Sequence, residues 1–160
     1  MGIIMSKEPI IETERLILRP ITLDDAPAFF SWNSDERVTR FMMYPTVTDI
    51  SQTINSIKRA MTDDKSYRWA FVLKSETKVI GTGGIMPDND MKGYWRMAYN
   101  LHYDYWGKGY CTEAMKAIID FVYKELGITK IYADHAVDNP ASGRVMEKCG
   151  LKFDHYGEYT

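Results

Sequence analysis

Gly107 and Gly109 stand one residue apart within Tyr105-Trp106-Gly107-Lys108-Gly109-Tyr110-Cys111-Thr112-Glu113-Ala114. The segment lies between a strand-like run, Tyr94 to Tyr103, and a helix-like run, Thr112 to Leu126. Glycine lets a backbone approach a ligand closely, and a helix N-terminus adds unpaired N–H groups and partial positive charge. The chemistry such a turn suits is the holding of an anion, with a pyrophosphate as the natural guest. Gly-x-Gly also serves ordinary tight turns. Its weight here comes from a second segment, Asn139-Pro140-Ala141-Ser142-Gly143-Arg144-Val145-Met146-Glu147-Lys148-Cys149-Gly150-Leu151-Lys152-Phe153. Asn139 followed by Pro140 reads as a helix start, and Gly150 as its stop.

The elements that must position these segments alternate between strand and helix without repeats. Glu14 to Arg19 alternates charged and apolar residues as a first strand, ended by Pro20. A short helix opens at Leu23 with Thr22 or Asp24 as cap, and a second covers Asp49 to Met61 on the spacing of Ile50, Ile54, Ile57 and Met61. Arg68 to Leu73 and Val79 to Ile85 read as strands joined by a turn at Glu76–Lys78, and the glycines of the second strand suggest close backbone approach or a bulge. Ala114, Met115, Ile118, Ile119, Val122 and Leu126 form one apolar stripe on the helix after the glycine turn, which Gly127 stops. Ile131 to Val137 reads as a buried strand, and Leu151 to Tyr159 as a last one.

With 160 residues, 45% apolar and 13% aromatic, the chain predicts one packed domain. A net charge of −2 supplies no basic field for nonspecific nucleic-acid binding. Cys111 and Cys149 are the two cysteines, with no metal-like spacing to each other or to the histidines, so no metal is expected. Free thiols, no signal-peptide pattern and no apolar run of spanning length predict a cytoplasmic protein without a membrane partner.

The glycine turn, the strand after its helix and the Asn139–Phe153 segment together resemble the GNAT acyl-CoA N-acyltransferases. Thr13-Glu14-Arg15-Leu16-Ile17-Leu18-Arg19-Pro20 and Val79-Ile80-Gly81-Thr82 look like two strands of the RimJ/RimL-type branch, the ribosomal-protein N-terminal acetyltransferases. The resemblance implies an α+β, three-layer fold: a central mixed, splayed sheet with helices on both faces, in a single domain over residues 1–160. It implies acetyl-CoA as cosubstrate and an amine, on a protein N-terminus or a small molecule, as acceptor. The amides of Trp106, Gly107, Lys108, Gly109, Tyr110, Cys111 and Thr112 would hold the pyrophosphate. A bulge at Tyr99-Asn100-Leu101, continuing to His102, would offer main-chain groups to pantetheine and the thioester carbonyl. Asn139 would reach the pantetheine, Ser142 would sit near the sulfur, and Lys148 would meet the cofactor. Bland alternatives stand beside these: Asn139 as a simple N-cap, Ser142 as an exposed first-turn residue, Tyr99 as a cross-strand aromatic, Lys148 as a partner of the last helical carbonyls.

The chain departs from the family pattern in three places. Many relatives carry a tyrosine general acid midway along the helix after the Asn, and the matching residue here is Met146. The branch often carries a glutamate on the strand before the glycine turn where this chain has Arg96. The acid is therefore Ser142, a tyrosine elsewhere such as Tyr99, or solvent, and base candidates are His135, Asp134 and His102. The family also runs on to a further strand after the segment at which this chain stops, so a truncated form or completion by a neighbouring chain, and with it a homodimer, is expected. A CoA-binding sensor without turnover is the rival reading that Met146 and Arg96 favour.

Overall fold

A computed structural model of the chain describes residues 7–42 and 44–157. Six strands form one sheet in sequence order: β1 (Ile11–Glu12), β2 (Leu16–Pro20), β3 (Tyr67–Leu73), β4 (Lys78–Pro87), β5 (Trp95–Leu101) and β6 (Ile131–Tyr132). All neighbours are antiparallel except β5 and β6, which run parallel, so the sheet is mixed. The helices are α1 (Ala26–Asn33), α2 (Glu36–Thr39), α3 (Ile50–Thr62), α4 (Tyr110–Leu126) and α5 (Pro140–Lys148).

Alternation along the strands sends one set of side chains to each face. Leu16, Leu18, Trp69, Phe71, Ile85 and Met97 pack under α4, whose Ala114, Met115, Ile118 and Val122 have no exposed surface. The opposite face carries α1 to α3 on a smaller core built from Phe29, Trp32, Val38, Ile57 and Ala70. The result is three layers around a splayed sheet, as the resemblance implied. Local signals start the helices: Asp49 accepts from the Ser51 N–H at the head of α3, with Gln52 reaching back to the cap. Asp25, 2% exposed, accepts from the Thr22 N–H and from both ends of the Arg19 guanidinium at 2.6 and 2.9 Å, tying α1 to β2.

Several expectations need correction. The short β1 and helix α2 have too few periodic residues to show in a pattern. The strand expected over Ile131 to Val137 keeps only Ile131–Tyr132, because β6 leaves its neighbour beyond Tyr132. Residues 151–157 form no strand: they run without a paired neighbour, leaving Phe153 71% and Tyr156 79% exposed. Alternation without a partner strand does not make a ladder, and residues 158–159 of that expected strand lie outside the described residues. The bulge expected at Tyr99–Leu101 is absent, since the β4–β5 register runs unbroken from Gly81 opposite Leu101 to Pro87 opposite Trp95. The irregularity lies one strand over, where β4 carries an extra residue, Ile80, against Phe71 and Val72 of β3.

Candidate active site

The geometry of the site follows from the way β5 and β6 part. They pair only at Trp95 with Ile131 and Arg96 with Tyr132, after which β5 continues alone to Leu101. The apex of the split is held by Arg96 Nη2 donating to Asp134 at 2.8 Å and by the Tyr132 hydroxyl donating to Asp88. In an antiparallel ladder, residues alternate between those bonded to the neighbour and those turned away. The His102 N–H donates to Ile80 C=O, which places the even-numbered residues of β5 toward β4. The amides of Met97, Tyr99 and Leu101 therefore face the split. Two contacts agree: the Trp95 N–H reaches Lys130 C=O across it, and Leu101 C=O accepts from Trp106 Nε1 at 2.8 Å. Main-chain groups are thus offered to the opening by an unbroken strand that has lost its neighbour, and no bulge is needed.

A cleft of about 350 Å³ fills the opening, walled by β5, the glycine turn, the head of α4 and one side of α5. Tyr99, Asn100 and Leu101 line it from β5, and Trp106, Gly107, Gly109, Tyr110, Cys111 and Thr112 from the turn and α4. Asn139, Ser142 and Lys148 line it from α5. Gly107 and Gly109 have φ of +76° and +80°, the left-handed region that other residues enter at a cost. Those two reversals leave the N–H groups of residues 107–112 without a hydrogen-bond acceptor among the described residues. A concave run of free amides at the head of a 17-residue helix is an anion-binding arrangement.

Asn139 caps α5 through Oδ1, which accepts from the Ser142 N–H at 3.4 Å, and its Nδ2 donates to no other described residue. The Tyr99 hydroxyl sits 2.9 Å from both the Ser142 carbonyl oxygen and Ser142 Oγ, bridging β5 to α5 across the split. Burial pushes the Tyr99 phenol well above its usual value, and the Ser142 hydrogen bond opposes part of that rise. The phenol is consequently a proton donor throughout the neutral range. Cys111 is buried and its thiol is raised strongly by burial, while the Cys149 thiol is pushed up to about 11 by burial, so neither is a thiolate at neutral pH.

Four candidate residues marked from the sequence do not line the cleft: Asp134, tied to Arg96 at the apex of the split, and His135, His102 and Lys108. His135 is exposed, its ring lying against α5 where a Cβ on Gly143 would meet Nε2 at 2.7 Å. It is carried there because the chain beyond Tyr132 leaves the sheet. His102 accepts the Asp104 N–H at 3.1 Å through Nδ1 and packs edge-on against Tyr105, closing the 3-10 turn after β5. Lys108 lies exposed with its ammonium 5.7 Å from the Tyr105 ring centre. Met146, at the position where relatives place a tyrosine, turns into the core under α4 with 8% exposure. Pattern reading missed Val38 and Met42, which reach the cleft from α2 and the segment after it, and Arg144, one turn of α5 before Lys148. The i, i+4 spacing of Arg144 and Lys148 was the available signal for the last.

Comparison with known proteins agrees with this geometry. The family model for the acetyltransferase (GNAT) domain matches residues 15–152. The N-acetyltransferase p20 of Bacillus licheniformis is 31% identical over 143 residues, 88% of this chain and 80% of that protein. The N-acetyltransferase YoaA of Bacillus subtilis is also 31% identical, over 147 residues covering 90% of this chain and 83% of the other. A GNAT-family acetyltransferase structure from Bacillus anthracis superposes with a TM-score of 0.80 at 26% identity, covering 92% of this chain and 86% of that one. The chain belongs to the GNAT acetyltransferase family. It is an N-acetyltransferase whose acetyl donor is acetyl-CoA. No helix among the described residues is long and apolar enough to cross a membrane.

Proposed function

We propose that the protein acetylates a primary amine by direct attack on acetyl-CoA in a ternary complex, with Tyr99 as general acid. The neutral amine forms the C–N bond at the thioester carbonyl. Collapse of the tetrahedral intermediate breaks the C–S bond, the thiolate takes the Tyr99 proton, and the amine's surplus proton leaves to solvent, which returns a proton to the phenolate. The cosubstrate's pyrophosphate lies on the free amides of residues 107–112, and its pantetheine runs along Tyr99 and Leu101 with Asn139 beside it. The carbonyl is polarised by main-chain N–H groups of β5 that face the split. Ser142 holds the Tyr99 hydroxyl in place through its carbonyl oxygen and Oγ, both 2.9 Å away. The observation that carries the assignment of the acid is the Tyr99–Ser142 contact inside the cleft, at 2.9 Å, with the phenol held protonated by burial.

Two acceptor classes stand open, a protein N-terminal amine, as the motif resemblance at Thr13–Pro20 implies, and a small amine. A panel of peptides with different first residues and of small polyamines, read by release of free CoA thiol, separates the two. The best acceptor then serves to compare the wild type with Tyr99→Phe. The expected outcome is a loss of about 10²-fold or more in kcat, the usual scale of general acid catalysis, with the KM for acetyl-CoA little changed. Wild-type kcat in the phenylalanine variant would remove Tyr99 from the mechanism and leave solvent as the acid.

A further inference from the structure

The connection between β1 and β2 lies far from the glycine turn in sequence, yet one residue of it, Arg15, meets the turn from behind. Its Nε donates to Glu113 Oε1 at 2.7 Å, and its Nη1 donates to the Lys108 carbonyl oxygen at 3.0 Å. Its guanidinium lies 4.3 Å from the centre of the Tyr110 ring, and a Cβ on Gly109 would come within 3.4 Å of Nη2. Glu113, in the first turn of α4, is held in turn by the Thr13 hydroxyl at 2.6 Å and the Arg15 N–H at 2.9 Å. Each contact bears on the same local problem. A turn whose N–H groups converge on an anion must point its carbonyls the other way and have them satisfied there. The Lys108 carbonyl, between the two glycines, is the one that a flip of the adjoining peptide would swing toward the anion. Arg15 holds it on the far side.

We propose that Arg15 is a positioning residue for the pyrophosphate of acetyl-CoA: anchored by Glu113, it locks the Lys108 peptide so that the amides of the glycine turn stay aimed at the cosubstrate. This rests on the reading that residues 107–112 hold the pyrophosphate. Arg15 acts from behind the turn and takes no part in the acyl transfer. Its effect therefore belongs to the affinity for the nucleotide half of the cosubstrate and not to turnover. Lysine cannot replace it, because the role needs donors in two fixed directions and a flat face against Tyr110, where an ammonium is a single point charge.

The test compares wild type, Arg15→Lys, Arg15→Gln and Glu113→Gln with three thioesters. These are acetyl-CoA, its 3′-dephospho form, and S-acetylpantetheine, which keeps the reacting arm but lacks the pyrophosphate. The expected result is a rise of about tenfold in KM for acetyl-CoA in both Arg15 variants, the scale of one charge-assisted hydrogen bond, with kcat within about twofold of wild type. The same rise should appear with the dephospho form and vanish with S-acetylpantetheine. Glu113→Gln, which keeps Arg15 and loosens its anchor, should show the same selectivity at smaller size. Equal losses on all three thioesters, or no loss on any, overturn the proposal. A loss confined to acetyl-CoA and absent with the dephospho form overturns it too, by making Arg15 a direct ligand of the 3′-phosphate. If acetyl-CoA gains nothing over S-acetylpantetheine in the wild type itself, the pyrophosphate reading of the turn has failed, a result visible before any variant is made. Thermal unfolding of each variant separates loss of fold from loss of affinity, and Glu113→Gln keeps the question open to test should the Arg15 variants not fold.

Discussion

At the scale of single residues, the composition of the cleft sets the pH behaviour of the reaction. Among the described residues that line it there is no carboxylate and no histidine, and the cations Arg144 and Lys148 stand at its rim. A protonated amine is no nucleophile, and nothing in the cleft is suited to take its proton, so the acceptor must arrive neutral. Log kcat/KM is expected to rise with pH at a slope near one up to the pKa of the acceptor itself. That break falls at about 8 for an N-terminal amine and about 10.4 for an alkylamine. The sign for the acid is opposite. As the proposed acid, Tyr99 is needed protonated, and burial raises its pKa above the ordinary 10.0, so no descending limb should appear below that pH. A pH–rate profile with two acceptors of different basicity checks both statements. A rising limb that ignores the acceptor's pKa would point to a protein base.

At the scale of elements, close backbone approaches decide what can change. Gly84 of β4 faces β3 so tightly that an added Cβ would lie 1.9 Å from the Tyr67 carbonyl oxygen. Gly84→Ala must therefore push the two strands apart, and a loss of about 3 kcal/mol or more in urea unfolding is expected, the upper range for overpacking. At Gly109 the constraint is the backbone angle, φ +80°, with ordinary space around the position. Gly109→Ala should cost only about 1–2 kcal/mol of stability while re-aiming amides of the turn. Its larger effect is then on acetyl-CoA affinity, which calorimetry reads directly. The clamp between α4 and the β1–β2 connection has its own pH window. Burial raises the Glu113 carboxyl, but hydrogen bonds from Thr13 and Arg15 outweigh it and leave the pKa below the ordinary 4.5. A depressed carboxyl contributes stability above the unfolded value and loses it as pH falls through the folded one, so the clamp is intact at neutral pH and weakens below about 4.5.

For the whole molecule, the cosubstrate and the fold stabilise one another. The cleft is walled by β5, α4 and α5, elements that touch one another only part-way along, so a ligand lying between them joins the two sides of the split. Binding to the folded state alone adds RT ln(1 + [L]/Kd), about 2.7 kcal/mol at a hundredfold excess over Kd. In a chain of 160 residues that corresponds to a rise in Tm of about 5–10 °C. Scanning calorimetry with acetyl-CoA, and with ATP as a control for bare phosphate binding, checks the figure. No shift with acetyl-CoA at concentrations that support turnover would mean that the ligand bridges nothing.

The sequence by itself determined what local chemistry can specify. The turn glycines, the Asn139-Pro140 helix start, the apolar stripe of α4 and the alternation of the central strands are read within a few neighbouring residues, and each lies where the pattern put it except Leu126 at the end of the stripe, which is exposed. From these the layers, the family and the position of the glycine turn were legible. Only the tertiary structure decided what depends on a partner distant in sequence. Alternation in Leu151–His155 promised a strand, but a strand exists only where a neighbour offers its edge. His135 looked available as a base until the chain beyond Tyr132 left the sheet and carried it outside the cleft. The Tyr99–Ser142 bridge spans 43 residues and the Arg15–Glu113 clamp 98, and no periodicity encodes either. Such pairings are set by how the layers close over one another, which is a property of packing and not of any segment alone.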